Sequence, residues 1–528
     1  MNSAAKLSAI TKGKTRMTWA EGYVSEVDYT FGYYRELSPN LLRLAALSAG
    51  VATSFSSEVK YLELGFGQGL SINIHAAAGA GEFWGTDFNP NQVALAKFLA
   101  DASGVDARLF DESFEEFAQR PDLPEFDVIA LHGIWTWISD ANRRVIVDLI
   151  RRKLKVGGLA YVSYNCLPGW APAMPLRHLM TMHAELAGSD AAGILNKIDG
   201  AVNFAQHVVD SGALYFQANP AVAQRLKQIA GQNRNYLAHE FFNQDWDIMS
   251  FSDAARMLDE AKLTFLASAH LMDHVEAINL TEAGQKLLSG ISHPILRQSV
   301  RDYFVNQQFR RDIFIKGAHR LTGLEITELF KQQSFVLITN PADIAMKVIG
   351  SLGEATLQES VYRPVIATLA EDNFRAKSVA ELAAHPNLKD LNIAQLVQSV
   401  LVLTGAGHLS PAQIPSNEAR ERCAKLNRTI CDQARSRADI SYLASPVAAS
   451  GIPVPRFEQL FIVAGNEGLK TSAELAKFVW DVLARQGQRL IKEGKVLESE
   501  DDNIAELNRQ AQEFIEKRKP VFTGLEIA

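Results

Sequence analysis

Val59–Leu70 reads VKYLELGFGQGL, an apolar run that ends in Glu63 and then breaks into three alternate glycines, Gly65, Gly67 and Gly69. The run predicts a buried strand, and the glycines predict a tight turn into a helix beginning near Ser71. Glycine suits such a turn because it reaches backbone conformations closed to other residues and lets a ligand approach the main chain. Turns of this kind serve NAD, FAD and nucleoside triphosphates as well as other cofactors, so the flanking sequence has to choose among them.

Outward from the turn, helices and strands alternate. Ser71–Gly79 reads as a helix, Glu82–Thr86 as a strand ending at Asp87, and Asn89–Ser103 as a helix with Pro90 in its first turn. Ala107–Phe110 is a third strand ending at Asp111, and Phe126–Leu131 a fourth ending at His132. Ala141–Leu154 is a helix stopped by Lys155–Gly158, and Leu159–Tyr164 is a fifth strand ending at Asn165. This alternation predicts a parallel, doubly wound sheet, in which ligands bind beyond the carboxyl ends of the strands. All five ends carry polar groups. Two later segments, Leu263–Ala269 and Phe309–Lys316, are expected to close the sheet at seven strands, with the proline-led helical stretch before them inserted.

The polar ends discriminate between cofactors. Leu70 stands where the dinucleotide fingerprint wants a small residue. Glu63 suits the cationic amino-acid end of a ligand, Asp87 a ribose diol, and Asp111 with Ser113 an adenine amino group. That combination fits S-adenosylmethionine. The expected cofactor set is Glu63, Gly65, Gly67, Gly69, Asp87, Phe88, Asn89, Asp111, Ser113, Phe114 and His132. The competing reading of Asp111 is a helix N-cap.

Composition excludes several classes. A formal charge of −7 over 528 residues argues against a general nucleic-acid-binding surface, and no run approaches the length of a membrane span. Three cysteines, Cys166, Cys423 and Cys431, show no metal-ligand spacing and fit a reducing compartment. The basic stretch at the N-terminus lacks the apolar core of a secretory signal, so a disordered lead (1–17) and a cytoplasmic location are expected.

Six motifs, ELGFGQG, WGTDFNP, DESFEEF, LHGIWTWIS, KLKVGG and YNCLPGW, together resemble bacterial class I methyltransferases carrying a methyltransferase regulatory domain. They are similar to the rickettsial lysine methyltransferases of outer-membrane protein, the best characterised of these. YLAHEFFN (Tyr236–Asn243) and NQQFRRDIFIKG (Asn306–Gly317) extend the resemblance to about residue 320. It implies methyl transfer from S-adenosylmethionine to lysine side chains of a protein, a surface or outer-membrane protein before export among the candidates, with a homodimer admitted. One departure concerns the acceptor: those enzymes tend to carry a Thr-His-Pro segment before the first strand, where this chain has YTFGYYRELSP. An O- or N-methyltransferase of a saccharide or small metabolite is the alternative, and a cofactor-binding regulator is a third reading.

For a lysine acceptor, the residues expected to position the amine are Tyr23, Tyr29, Trp135, Trp137 and Tyr164, against a competing reading as packing. The aromatic stretch Trp19–Asn40, which also holds Tyr33 and Tyr34, is either core packing or a lid over the glycine loop. Arg310, Arg311 and Lys316 are expected on a solvated strand face with an ion pair to Asp312. The expected domains are a methyltransferase domain (18–171 and 237–320), a helical insertion (172–236), a winged-helix-like domain (340–412) and a helical C-terminal domain (413–520). The helix Asn392–Thr404 carries no Lys or Arg, which argues against DNA reading.

Overall fold

Val59, Tyr61, Leu62 and Leu64 are all buried, on both faces of the strand Glu58–Leu64 (β1), as a continuous apolar run requires in a sheet covered on both sides. The computed structural model describes Tyr23, residues 31–188 and residues 193–527. Around β1 stand Ala80–Thr86 (β2), Ala107–Phe110 (β3), Phe126–Leu131 (β4), Leu154–Asn165 (β5), Thr264–Ser268 (β6) and Phe309–Ile315 (β7). They form one seven-stranded sheet in the order β3-β2-β1-β4-β5-β7-β6. Strands β1 to β5 are parallel, and β7 runs antiparallel to both of its neighbours. This is the class I methyltransferase arrangement, closed by the two late strands. One element differs from expectation. The preceding helix ends at Lys153, as its stop requires, but Lys155–Gly158 itself lies within β5, which was expected to begin at Leu159, and the pairing of β4 with β5 shifts register there.

The helices between strands are Pro39–Ser48 (α1), Leu70–Ala78 (α2), Pro90–Ser103 (α3), Phe114–Ala118 (α4) and Asp140–Lys153 (α5). Every residue of α2 is buried, including Ser71, Asn73 and His75. A helix that is apolar nearly all round belongs inside a protein, and its polar side chains then need partners. Asn73 donates to the carbonyls of Gly69 (2.8 Å) and Ala96 (3.0 Å), which ties α2 to α3.

The chain divides into two compact units. The first holds, among the described residues, Tyr23, Thr136–Asp140 and Trp170–Asp247; the second holds the sheet and the remainder. The first unit is helical, with helices Met174–Leu186, Gly193–Asp210, Pro220–Ala230 and Arg234–Phe241. Its aromatic centre is Trp170, whose ring meets Phe241 and Trp246 at 6.0 and 5.5 Å, with the Arg225 guanidinium 3.7 Å above it.

In the second unit the closing strand β7 carries the charged residues expected on a solvated face. Strand alternation sends Arg310 and Arg311 opposite ways, and Lys316 lies just past the end of β7. Arg310 is buried, paired with Asp302 and with Asp312 (2.7 Å), and Tyr164 donates to the same Asp312 (2.7 Å). Only Arg311 and Lys316 keep the solvent access expected of all three. Beyond the sheet, Ser334–Leu337 (β8) is the centre of a three-stranded antiparallel sheet between Lys377–Ser378 (β9) and Leu409–Ala412 (β10). Helices Glu359–Phe374 (α6), Val379–Ala384 (α7) and Ile393–Gly405 (α8) accompany it. The helix Asn417–Gln433 (α9) and the hairpin Tyr442–Ser445 (β11)/Ser450–Pro453 (β12) follow, with further helices to the C-terminus.

Candidate active site

The glycine turn is built as its sequence requires. Gly65, Gly67 and Gly69 have φ of 70°, 59° and 72°, values that favour glycine. Gly69 has a second reason: a Cβ there would lie 2.3 Å from the Cβ of Ala96, so the turn and α3 could not approach as they do. A Cβ on Gly67 would meet nothing within 4 Å. Gly69 is also the N-cap of α2 and offers no side chain to its first amides.

Two carboxylates stand at the ends of β1 and β2. Asp87 accepts from the backbone amides of Gly67 (2.9 Å) and Asn89 (3.0 Å), and so braces the turn against the start of α3. With its amide nitrogen turned inward, Gln92 donates to both Asp87 oxygens at 3.1 Å. Glu63 accepts from the hydroxyl of Tyr61, two residues back on the same face of β1, at 3.1 Å. Burial pushes the Glu63 carboxyl up to about 8; the Tyr61 bond opposes that rise and the nearby Asp87 charge adds to it. Burial likewise pushes Asp87 up to about 7 against its two backbone hydrogen bonds. Among the described residues no basic side chain pairs with either.

Buried carboxylates are retained where something favours their charge. A ligand bearing an ammonium group and a diol would do so here, and the open space beside Gly67 lies on the same turn. The residues present therefore fit the amino-acid and ribose portions of S-adenosylmethionine. Among the described residues no group of three or more His, Cys, Asp or Glu side chains could hold a metal ion.

The rest of the expected cofactor set is placed less uniformly. Asn89 is buried as the N-cap of α3, its side chain accepting from the Asn91 amide at 3.0 Å. Phe88 and Phe114 are half-buried, and Asp111 is exposed. The N-cap weighed at Asp111 falls instead on Ser113, which exchanges hydrogen bonds with Glu116 in a reciprocal capping box. The Ser113 hydroxyl is thus engaged with its own helix.

His132, just beyond β4, joins a cluster that the sequence only partly signalled. Its Nδ1 lies 2.8 Å from the Tyr161 hydroxyl, and the Tyr34 ring stacks on it at 3.8 Å. Burial pushes the imidazole down to about 4, Glu36 opposing and Arg311 adding, so it is neutral near pH 7. Burial also disfavours charge on Glu36, but Arg311 (3.7 Å) and Arg35 outweigh it and hold that carboxyl below the usual range. Tyr34 lies in the aromatic stretch read as a lid or as packing. The pairing of Glu36 with Arg311 carried no signal because the two are remote in sequence, and Tyr61 and Gln92, though only two and five residues from the carboxylates they meet, belong to no motif that marks them.

The residues expected to position an acceptor do not share one setting. Trp135 and Tyr164 have no exposed surface; the indole of Trp135 donates to the Met249 sulfur at 3.3 Å, and Tyr164 is held by Asp312. Trp137 and Tyr23 belong to the first unit. There Trp137 donates to the carbonyl of Glu240 (3.3 Å), and Tyr23 lies against His239 at 5.4 Å between centroids. Tyr29 lies outside the described residues.

Residues 62–158 match the family model described as a methyltransferase domain, and residues 233–316 match the predicted methyltransferase regulatory domain. The uncharacterized protein sll1526 of Synechocystis is 40% identical over 517 residues, 97% of this chain and 100% of that one. The uncharacterized protein RP789 of Rickettsia prowazekii is 26% identical over 54% of this chain and 51% of its own length. Among solved structures, PKMT2 from Rickettsia typhi in complex with AdoHcy has the same fold over 94% of this chain and all of its own, with a TM-score of 0.68 at 17% identity.

Proposed function

Because the chain belongs to the family of the Synechocystis protein sll1526 and is an S-adenosylmethionine-dependent methyltransferase, we propose that it transfers methyl groups to lysine side chains of a protein substrate. When bound, S-adenosylmethionine supplies the electrophilic methyl group. Glu63 and Asp87 hold the ammonium and ribose portions, the glycine turn admits them, and the Tyr34–His132 stack offers a flat apolar face beside the ends of β1 and β4.

The acceptor nitrogen must be neutral to attack. A lysine of ordinary pKa about 10.4 is neutral in about one molecule in a thousand near pH 7.4, a deficit of about 4 kcal/mol. Aromatic walls lower that pKa by desolvation and hold a methylated ammonium by cation–π contact. Tyr34 is the described aromatic best placed for this at the cofactor turn. Tyr23 and Trp137, both of the first unit, are proposed to contribute to substrate recognition there.

What supports a protein acceptor is architecture. The chain shares a fold with Rickettsia typhi PKMT2 over 94% of its length, far more than the methyltransferase domain alone. We take the insertion (172–236) and the C-terminal domains (340–412 and 413–520) as the body that docks the substrate. No helix among the described residues is long and apolar enough to cross a membrane.

Incubation with radiolabelled S-adenosylmethionine and a native bacterial lysate tests this reading. Label is expected in protein bands and, after acid hydrolysis, in methylated lysine. Label confined to saccharide or small-molecule fractions rejects the lysine acceptor and favours the alternative.

A further inference from the structure

Helix α2 is treated differently at its two ends. Its N-terminal end follows the glycine turn and has no side-chain cap. At its C-terminal end three successive carbonyls would be left without intrahelical partners. Each receives a donor from the far half of the chain: Arg422 Nε donates to Ala77 (3.2 Å), Gln413 to Ala78 (2.9 Å) and Arg422 Nη2 to Gly79 (2.7 Å). Gln413 also donates to the carbonyl of Pro446 at 3.0 Å, so the clamp is itself anchored at the hairpin.

A second tie runs beside it. The Tyr33 hydroxyl lies 2.6 Å from Ser450 Oγ on β12 and 3.1 Å from His75 Nε2 on α2. The Tyr33 ring leaves no room for a Cβ on Gly451, which would fall 2.8 Å from it. The next residue, Tyr34, donates its amide to Ser71 in the first turn of α2 (3.1 Å) and stacks on His132. Leu70, Ile74, Ala77 and Ala78 of α2 share one apolar core with Cys423, Leu426, Leu443 and Ile452. The helix that leads out of the glycine turn is thus packed, capped and laterally tied by residues 413–453.

We propose that Arg422, Gln413 and Ser450 are positioning residues of the cofactor site, acting through α2 and Tyr33 to hold the glycine turn and Tyr34 in their binding geometry. The C-terminal half is then part of the methyl-donor site as well as a docking body. The cationic guanidinium at the C-terminal end of α2 also complements the helix dipole. The inference rests on reading Gly65–Gly69 as the cofactor turn.

The test is the affinity of the full-length protein for S-adenosylhomocysteine, by calorimetry well below the melting temperature. Arg422→Ala is expected to weaken it about threefold to tenfold. Arg422→Lys, which keeps the charge, restores part of it. Gln413→Ala and Ser450→Ala, milder changes that keep the proposal testable if Arg422→Ala fails to fold, are expected to weaken it about twofold to threefold each. A merely structural role would lower the melting temperature and leave these affinities unchanged. Unchanged affinity in every folded variant, with binding abolished in the control Asp87→Ala, overturns the inference and leaves the cofactor turn standing. Unchanged affinity in Asp87→Ala overturns both.

Discussion

Glu63 and Asp87 make the pH dependence of this protein a direct report on its cofactor site. Their carboxyls sit at about 8 and about 7 in the folded, ligand-free chain, against about 4.3 and about 3.9 when unfolded. A raised folded pKa means that the folded state holds protons the unfolded state has released. These two groups therefore contribute a loss of stability as pH rises from about 4 to about 8, against which buried His132, at about 4, contributes a gain between about 4 and about 6.5. A ligand that favours the ionised pair must displace those protons, so cofactor affinity is expected to rise from pH 6 to pH 9, with proton release visible as a buffer-dependent enthalpy in calorimetry. Glu63→Gln should flatten the stability decline while weakening cofactor binding by about tenfold or more, as loss of a charge-assisted contact; melting curves at pH 5 to 9 check the first and titration the second. Both carboxylates were legible in the sequence because each interrupts or ends an apolar run at a strand end. Ser113 was legible for a different role: Ser113 and Glu116 have the spacing of a capping box, and the helix takes the hydroxyl. Tyr34 and Glu36 were not, since their meaning lies in His132 and Arg311, far along the chain.

The turn between β1 and α2 separates two uses of glycine. At Gly69 an alanine must adopt φ of +72° and also meet Ala96 at 2.3 Å, so Gly69→Ala should cost about 1–2 kcal/mol in backbone conformation and about 1–3 kcal/mol in overpacking. At Gly67, with φ of +59° and open space around the added carbon, only the conformational part applies. Gly67→Ala should therefore keep the fold while losing cofactor affinity; urea denaturation beside ligand titration distinguishes the two substitutions. The closing strand β7 offers a third test. Removing Asp312 takes one of the two carboxylates from buried Arg310, leaving Asp302 and the amide oxygen of Gln298, and strips the Tyr164 hydroxyl of its acceptor, so Asp312→Ala should destabilise by about 3–5 kcal/mol, read from denaturation. The existence of β7 followed from its apolar residues. Which arginine faces inward did not, because adjacent residues in a strand point to opposite faces and FRRD offers no alternation to choose between them. The Lys155–Gly158 segment was half legible in the same local way: its glycines marked the end of a helix, but backbone hydrogen bonds of Gly157 and Gly158 with Lys316 and of Gly157 with Ser54 carry β5 through them.

At the scale of the whole molecule, the alternating first half of the sequence carried the sheet, and helix-then-strand order carried its closure after a long interruption. What sequence pattern could not carry is how the C-terminal half meets α2, because Arg422 and Gln413 are separated from their carbonyl acceptors by more than three hundred residues and show no local signature. The seven-stranded sheet, the glycine turn with its buried carboxylates, and the methyltransferase family match all converge on S-adenosylmethionine, which we place beyond the carboxyl ends of β1 and β2. Ultraviolet cross-linking of methyl-labelled S-adenosylmethionine to the full-length protein, followed by peptide mapping, tests that placement most directly. The label is expected on peptides containing residues 59–70, 87–92 or 132–135, and to disappear in Asp87→Ala. Label recovered on other segments, or undiminished in Asp87→Ala, would contradict it.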